Sequence, residues 1–160
     1  MNSFLPPGNL NALLARVGGY LRCPLLLVIR LYWGWQFFLT GRGKWSDLSR
    51  PTAFFASLHI PAPHLNAIIV AVTECVGGLL FAVGLGTRFV APIFIFEMIV
   101  AYATSEPEAL HALFGQFDAD KFVAAQPFQF LFAALIVFAF GPGKLALDTL
   151  VFKPSAAERN

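Results

Sequence analysis

Charged residues are scarce in this chain of 160 residues. Asp, Glu, Lys and Arg make up 12% of the sequence, against roughly a quarter of an average soluble domain. The formal net charge is only +2, and no basic stretch is interleaved with aromatic residues, so no nucleic-acid partner is expected. This shortage of charge excludes an ordinary water-soluble globular protein.

Cysteine is also rare. Cys23 and Cys75 lie far apart and form no Cys-x-x-Cys pair, which argues against a redox dithiol or a metal-thiolate cluster. Walker, Rossmann, nucleophile-elbow and haem-attachment motifs are missing. The three histidines, His59, His64 and His111, have no recognised ligand spacing, so they are interpreted as interfacial residues and no metal site is predicted. The chain therefore shows no electron carrier of its own.

Apolar residues dominate what is present. They make up 58% of the chain, which includes 18 Phe, and the mean hydropathy is +0.69. Four apolar runs are predicted to cross a bilayer as helices, at residues 23–40, 64–85, 88–103 and 127–140. The predicted fold is an all-α integral membrane four-helix bundle, with one domain over residues 23–153 and a polar tail over 154–160.

Residues 1–22 are predicted to form an interfacial segment before the first span. They lack the basic start and the cleavage site of a secretory signal. Apolar residues recur there at helical spacing: Leu10, Leu13, Leu14, Val17 and Leu21. Asn11, Arg16 and Arg22 lie off that face. The pattern indicates an amphipathic helix on the membrane surface.

The connections between spans set the topology. Gly86 and Thr87 alone join the second and third spans, which predicts a tight antiparallel hairpin. Residues 51–61 fit a short interfacial helix, whereas residues 104–126 are interpreted as an acidic loop. Four spans place both termini on one side, which holds six Lys or Arg residues against four on the opposite side. This bias favours cytoplasmic termini.

Three charged residues lie inside the predicted spans. Burying Arg30, Glu74 or Glu97 in lipid costs several kcal/mol. Counted from the side that holds the termini, they lie about 10, 16 and 13 Å deep, respectively. We therefore expect the three side chains to meet in one buried layer, where one guanidinium faces two carboxyl groups.

This layer has two interpretations. With one carboxyl group neutral, it could receive or relay a proton, as quinone reduction or proton-coupled transport requires. Alternatively, an Arg–Glu pair fixes the helix register. Trp33, close to Arg30, could likewise stack on a flat quinone ring or simply pack in the core. Small residues on the same faces, Gly34, Gly41, Gly77 and Gly78, are expected to allow close helix packing.

Several motifs follow one another along the chain. They are Arg30, Gly41 followed by Lys44 and Trp45, a short helix ending at Pro61, Glu74 with Gly77 and Gly78, the Gly84–Arg88 turn, and Gly141-Pro142-Gly143 followed by Asp148. Their order and spacing resemble those of the DoxX family of small bacterial membrane proteins. The resemblance covers residues 30–148 and carries over Gly84, Thr87, Arg88, Gly141, Gly143 and Asp148 as motif positions. This sequence departs from the family at His59, where glycine is common, and at Gln126 and Gln129, where an acidic residue is usual.

The resemblance implies a four-helix bundle in the bacterial inner membrane with a link to redox metabolism. Family members are named as subunits of thiosulfate:quinone oxidoreductase or as membrane partners in oxidative-stress and thiol defence. The predicted function is a quinone-linked redox subunit or accessory, with a protein partner that carries the electron donor. Whether the chain is itself an enzyme is left open.

Candidate site residues follow from this prediction. Glu74 and Glu97 would handle the proton, while Arg30, Trp33 and Lys44 would bind the quinone, the one cofactor considered. Two alternatives from other classes are a membrane scaffold that recruits soluble proteins and a proton-coupled carrier of a small solute. The protein is expected to be embedded in a lipid bilayer, and whether it forms a homo-oligomer is left open.

Overall fold

A computed structural model describes residues 7–151, with side chains from residue 10 onward. Every regular element in this range is an α-helix. The helices are α1 (Pro7–Ser46), α2 (Ser49–Ser57), α3 (Pro63–Val83), α4 (Thr87–Ser105), α5 (Pro107–Gln116), α6 (Ala119–Ala124), α7 (Pro127–Phe140) and α8 (Asp148–Val151). The prediction of an all-α membrane bundle is confirmed.

Within residues 7–151, three helices are long and apolar enough to cross a membrane: α1, α3 and α4. The chain is therefore a multi-pass membrane protein. The fourth apolar helix, α7, has 14 residues and is about 21 Å long, shorter than the roughly 30 Å hydrocarbon core of a bilayer. It lies where the fourth span was predicted, but a full fourth crossing stays a prediction.

Helix α1 is much longer than the predicted first span. It runs without a break for 40 residues, from Pro7 to Ser46, or about 60 Å. The predicted boundary between residues 22 and 23 is therefore not a helix boundary, because the chain continues as helix through Cys23 and Pro24. Residues 1–6 of the predicted interfacial segment and the predicted tail over 154–160 lie outside the described residues.

Helices α1 and α3 pack antiparallel with their backbones nearly in contact. A Cβ atom added to Gly34 would lie 2.6 Å from the backbone nitrogen of Ala82, and one added to Gly41 would lie 2.6 Å from that of Cys75. Gly78 is equally close, since its added Cβ would lie 2.7 Å from the Gly34 carbonyl oxygen. The glycines are needed because any side chain would push the helices apart. These contacts fix the register between α1 and α3.

Helix α4 packs against α7, and an aromatic core fills the space between the four apolar helices. The Phe37 and Phe94 rings are stacked with centroids 3.7 Å apart, and both side chains are completely buried. Phe81 and Val137 close the same cluster. Lipid tails are as apolar as these side chains, so burial of apolar surface does little to hold helices together in a membrane. Tight packing of rigid aromatic rings supplies the attraction between the helices instead.

The connections agree with the sequence predictions in two places. Gly84 and Gly86 form the α3–α4 turn with φ angles of 73° and 62°, a conformation that favours glycine, so the tight hairpin is confirmed. Helix α2 confirms a short helix near residues 51–61. His59 also has a positive φ, 57°, which explains why glycine would be common at this position.

The acidic connection over residues 104–126 contains two short helices, α5 and α6, which the sequence analysis did not predict. Pro107 occupies the first turn of α5, where its missing N–H and fixed φ favour helix initiation. The Asp118 side chain accepts a hydrogen bond from the Asp120 N–H and caps α6. These two residues are the local signals that begin the helices.

Replacing Gly34 with alanine should destabilise the bundle by about 1–3 kcal/mol, because the added methyl group meets backbone atoms that cannot move aside. Gly43→Ala is the matched control on the same helix, since its Cβ would meet nothing within 4 Å. Equilibrium unfolding in detergent, followed by tryptophan fluorescence, gives the free energy of unfolding of both variants. Equal stability of the two variants would contradict the α1–α3 contact.

Candidate functional site

Two polar centres lie at different levels of the α1–α3 pair. Arg30 belongs to one, and Lys44, fourteen residues further along α1, belongs to the other, a separation of about 21 Å along the helix. We call the end formed by the α3–α4 turn and residues 141–151 the terminal face, and the opposite end, formed by residues 41–63 and 104–126, the loop face. Arg30 therefore does not meet Glu74 and Glu97, and the predicted single layer of three charges is not formed.

The register of α1 against α3 explains this correction. The depth of Arg30 was counted from the start of its apolar run, but the glycine contacts place it beside Gly84. Gly84 lies ten residues after Glu74, or about 15 Å along the helix direction. Where an apolar run begins does not determine how deep the helix is inserted beside its neighbour.

Arg30 is completely buried at the terminal face. Its Nη2 donates a hydrogen bond to the carbonyl oxygen of Leu145, at 2.6 Å. A Cβ on Gly84 would lie 1.5 Å from Arg30 Nη1, so only glycine leaves room for the guanidinium. Asp148 lies close enough to interact electrostatically with Arg30. Within residues 7–151, Arg30 Nε and Nη1 have no hydrogen-bond acceptor.

Asp148 fastens the C-terminal segment to the α3–α4 turn. Its carboxylate accepts hydrogen bonds from the N–H groups of Gly86, at 2.6 Å, and Thr87, at 3.0 Å, and so caps α4. Its own N–H donates to the Gly84 carbonyl, at 2.9 Å. We call Arg30, Gly84, Thr87 and Asp148 the terminal lock.

Several motif positions carried over by the resemblance converge on the terminal lock. Gly141 and Gly143 have φ angles of 76° and 80° and turn the chain back after α7. A Cβ on Gly143 would contact Leu26 of α1. Arg88 occupies the first turn of α4 beside the lock. Their positions indicate that these residues help to hold the helices together at this end of the bundle.

The second centre consists of Lys44 near the loop face and of Glu74 and Glu97, which lie in the middle of α3 and α4; we call it the Lys44 cluster. The Lys44 ammonium forms an ion pair with the Glu74 carboxylate, whose side chain is only 5% exposed. The carboxyl groups of Glu74 and Glu97 interact directly. Glu97 Oε2 is buried and lacks a hydrogen-bond partner among the described residues. The structure thus brings the two predicted glutamates together, with Lys44 as their cation.

Two grooves open beside the Lys44 cluster. The first, of about 410 Å³, is lined by Thr40, Gly43, Lys44, Asp47, Arg50, Pro51 and Gln126. The second, of about 340 Å³, is lined by Tyr32, Trp33, Gln36, Thr40, Ala124, Ala125, Gln126, Gln129 and Phe130. Thr40 and Gln126 line both. The combined surface carries amide, hydroxyl and ammonium donors next to aromatic rings.

The predicted quinone-binding residues divide between the two centres. Lys44 lines the first groove, and Trp33 lines the second, edge-on to Phe130 with ring centroids 5.0 Å apart. Arg30 lies at the terminal face, away from both grooves. The sequence analysis did not predict Gln36 and Thr40 as groove residues. Thr40 could have been found, because it precedes Lys44 by one helical turn and therefore lies on the same face of α1 as Lys44.

Asp47 adds a fixed negative charge at the rim of the first groove. The Ser49 hydroxyl donates to its carboxylate, and Arg50 forms an exposed ion pair with it at 3.0 Å. These contacts, the Ser49 hydrogen bond above all, lower the pKa of Asp47 below its usual value. The rim therefore stays charged around neutral pH.

The histidines stand apart from this site. His64 Nδ1 lies 3.3 Å from the Thr52 hydroxyl, and none of the three histidines lines either groove. In the part of the chain that the structure describes, no three His, Cys, Asp or Glu residues are grouped as metal ligands would be.

Comparisons with known proteins identify relatives of the chain. A family model described as DoxX matches residues 25–107. A Bacillus subtilis (strain 168) protein named "Putative oxidoreductase CatD" is 30% identical over 127 residues, which are 79% of this chain and 87% of the relative. No solved structure shows significant similarity to the chain.

Removing the Asp148 carboxylate should loosen the terminal lock. Asp148→Ala is expected to cost about 1–2 kcal/mol, because two N–H groups of α4 lose their acceptor. Asp148→Asn, which keeps one acceptor oxygen, should cost less. Thermal unfolding gives the stability, and amide exchange at Gly86 and Thr87 locates the change. Unaltered exchange at these two amides would contradict the cap.

Breaking the Lys44–Glu74 pair should also destabilise the protein. Removing one partner of a fully buried pair costs roughly 3–5 kcal/mol, but Lys44 is 29% exposed, so we expect about 2 kcal/mol for Lys44→Met. Lys44→Met combined with Glu74→Met should recover most of the loss. The matched control is Arg50→Met, whose ion pair with Asp47 is exposed, and which should change stability by less than about 0.5 kcal/mol.

Equilibrium unfolding of the wild-type protein, the single variants Lys44→Met and Glu74→Met and the double variant forms a double-mutant cycle, with Arg50→Met as a separate control. If Lys44→Met is as stable as Arg50→Met, the buried ion pair contributes nothing and the described cluster is contradicted.

Proposed function

Because the chain belongs to the DoxX family of membrane proteins, we propose that it is a quinone-linked redox subunit or accessory of the bacterial inner membrane, with both termini in the cytoplasm. A protein partner supplies the electrons. The observation that carries this proposal is that Lys44, the ion-pair partner of the buried Glu74, lines a groove that shares Thr40 and Gln126 with a second groove lined by hydrogen-bond donors and aromatic rings. The relative named as an oxidoreductase supports the redox class.

The groove surface suits the chemistry of a quinone headgroup. A quinone has a flat ring and two carbonyl oxygens that accept hydrogen bonds. Lys44, Gln126 and Gln129 carry donors for these oxygens, while Trp33 and Phe130 offer ring contacts. The second groove is lined by Tyr32 and Trp33 of α1 and by Phe130 of α7, so an apolar tail could extend along these rings into lipid.

Reduction of a quinone to a quinol consumes two electrons and two protons. In this proposal the electrons come from a redox centre of the partner, such as a flavin or a dithiol, because the chain offers no electron carrier of its own. Glu97 and Glu74 pass protons towards Lys44, and Lys44 orients the carbonyl oxygen that receives them. The Lys44 ammonium balances one carboxylate of the pair, so binding and release of one proton change the net charge of the cluster only between 0 and −1.

The proposal is tested by binding of a menaquinone or ubiquinone analogue to the protein in nanodiscs. Trp33→Leu should weaken binding about tenfold, or about 1.4 kcal/mol, through loss of the ring contact. Trp35→Leu is the matched control, because Trp35 is 51% exposed and lines neither groove. Lys44→Met should weaken binding as well, in protein shown by unfolding to be folded.

Four results would contradict the proposal. Absence of saturable binding to folded protein, or equal loss in the Trp33 and Trp35 variants, would remove the groove as a quinone site. Uptake of a solute into proteoliposomes driven by a pH gradient, with no quinone binding, would favour a proton-coupled carrier. Stable capture of a soluble protein without quinone binding would favour a scaffold.

A further inference from the structure

The N-terminal part of α1 extends beyond the bundle at the terminal face. Arg22 Nη2 donates to the Phe140 carbonyl at the end of α7, at 2.6 Å, and its guanidinium lies 5.7 Å from the Phe140 ring centroid. Every residue from 10 to 22 is exposed. Twelve residues, 10–21, thus project as about 18 Å of helix that no other described element covers.

The apolar face of this projecting helix points away from the bundle. Leu10, Leu14 and Val17 share one face, and helical spacing places Val28 and Trp35 on the same side of α1. All five are exposed. The opposite side of α1 carries the residues that pack against α3. The leucine face therefore continues the surface of α1 that faces lipid.

A straight helix would carry this face out of the bilayer. A hydrocarbon core of about 30 Å takes about 20 helical residues. The apolar helix α7 ends at Phe140, whose carbonyl accepts the hydrogen bond from Arg22, so we place the end of the core on this side of α1 near Arg22. Leu10, Leu14 and Val17 would then stand in water, which is unfavourable for a row of large apolar side chains.

Gly18 and Gly19 lie just beyond that boundary. A Cβ on either glycine would meet nothing within 4 Å, so packing does not require glycine at these positions. Glycine is a weak helix former, and sharp helix bends occur at such pairs. The structure shows α1 as one helix through both glycines; a bend there in the bilayer, away from the bundle, would turn the face of Leu10, Leu14 and Val17 down onto the membrane.

The charge of the segment favours an anionic surface. The first acidic residue of the whole chain is Asp47, so no carboxylate repels lipid phosphates from this part of α1. Arg16 lies on the projecting helix, off its leucine face. An apolar face flanked by arginine is the pattern of a helix that binds anionic lipid headgroups.

We infer that residues 10–17 form a membrane-surface anchor that bends away from the bundle at Gly18–Gly19 and binds the headgroup layer of bilayers containing anionic lipid. The anchor is independent of the quinone site, which lies at the loop face. It would hold the terminal face against the cytoplasmic leaflet and fix the depth of α1 beside α3.

Spin labels on the full chain in nanodiscs test this anchor. With Cys23 and Cys75 replaced by alanine, one label is placed at Leu14→Cys and the matched control label at Ala12→Cys, on the opposite helix face. In bilayers with phosphatidylglycerol, the label at position 14 should be severalfold more accessible to oxygen in lipid than to a water-soluble nickel complex. The label at position 12 should show the reverse preference.

The hinge and the charge are tested separately. Gly18→Ala with Gly19→Ala should straighten α1 and make the label at position 14 accessible from water, whereas Gly43→Ala, also in open space, should leave it in lipid. In bilayers of pure phosphatidylcholine, the label at position 14 should lie less deeply in lipid than in bilayers with phosphatidylglycerol. Arg16→Gln should abolish this difference between the two bilayers. Thermal unfolding of each variant establishes that the bundle is intact.

Three outcomes would overturn the inference. The label at position 14 could be exposed to water in every bilayer, or both labels could lie at mid-bilayer depth as in a membrane span. Dipolar broadening between labels on two copies, with both reagents excluded, would instead assign the leucine face to pairing between copies of the chain.

Discussion

The close backbone contact between α1 and α3 is the constraint on which the rest of the structure depends. Gly34 and Gly78 lie in van der Waals contact through their backbones, and so does Gly41 with Cys75. In lipid, helices gain little from burying apolar surface against each other, so association depends on such close packing. Because the contact permits only one register, it decides which polar residues of α1 meet which residues of α3.

Two polar centres with different roles result from this register. At the terminal face, Arg30 and Asp148 hold the C-terminal segment over the α3–α4 turn through backbone hydrogen bonds, a structural use of buried charge. Near the loop face, Lys44 meets Glu74 and Glu97 beside open grooves. Buried charge next to an open groove favours chemistry there, whereas buried charge bound to backbone favours stability.

The sequence analysis predicted the helices more accurately than it predicted how they are aligned against one another. The apolar runs gave α3, α4 and α7 within a few residues, and the turn glycines gave the α3–α4 hairpin. The pairing of Glu74 with Glu97 followed from depths along adjacent spans joined by a short turn. The position of Arg30 did not follow, because no short turn ties α1 to α3 and its depth depends on packing. Helices α5 and α6 were missed because acidic residues outweighed the Pro107 and Asp118 start signals.

The sequence by itself determined that this protein lies in a membrane, that it is helical, and that it belongs with DoxX proteins. These properties depend on composition, local periodicity and motif order, which are carried by residues close together in the chain. The tertiary structure decided that Lys44, rather than Arg30, is the cation of the glutamate pair, and that Asp148 caps α4. Both contacts join residues distant in sequence, and only the packed helices determine which distant residues become neighbours.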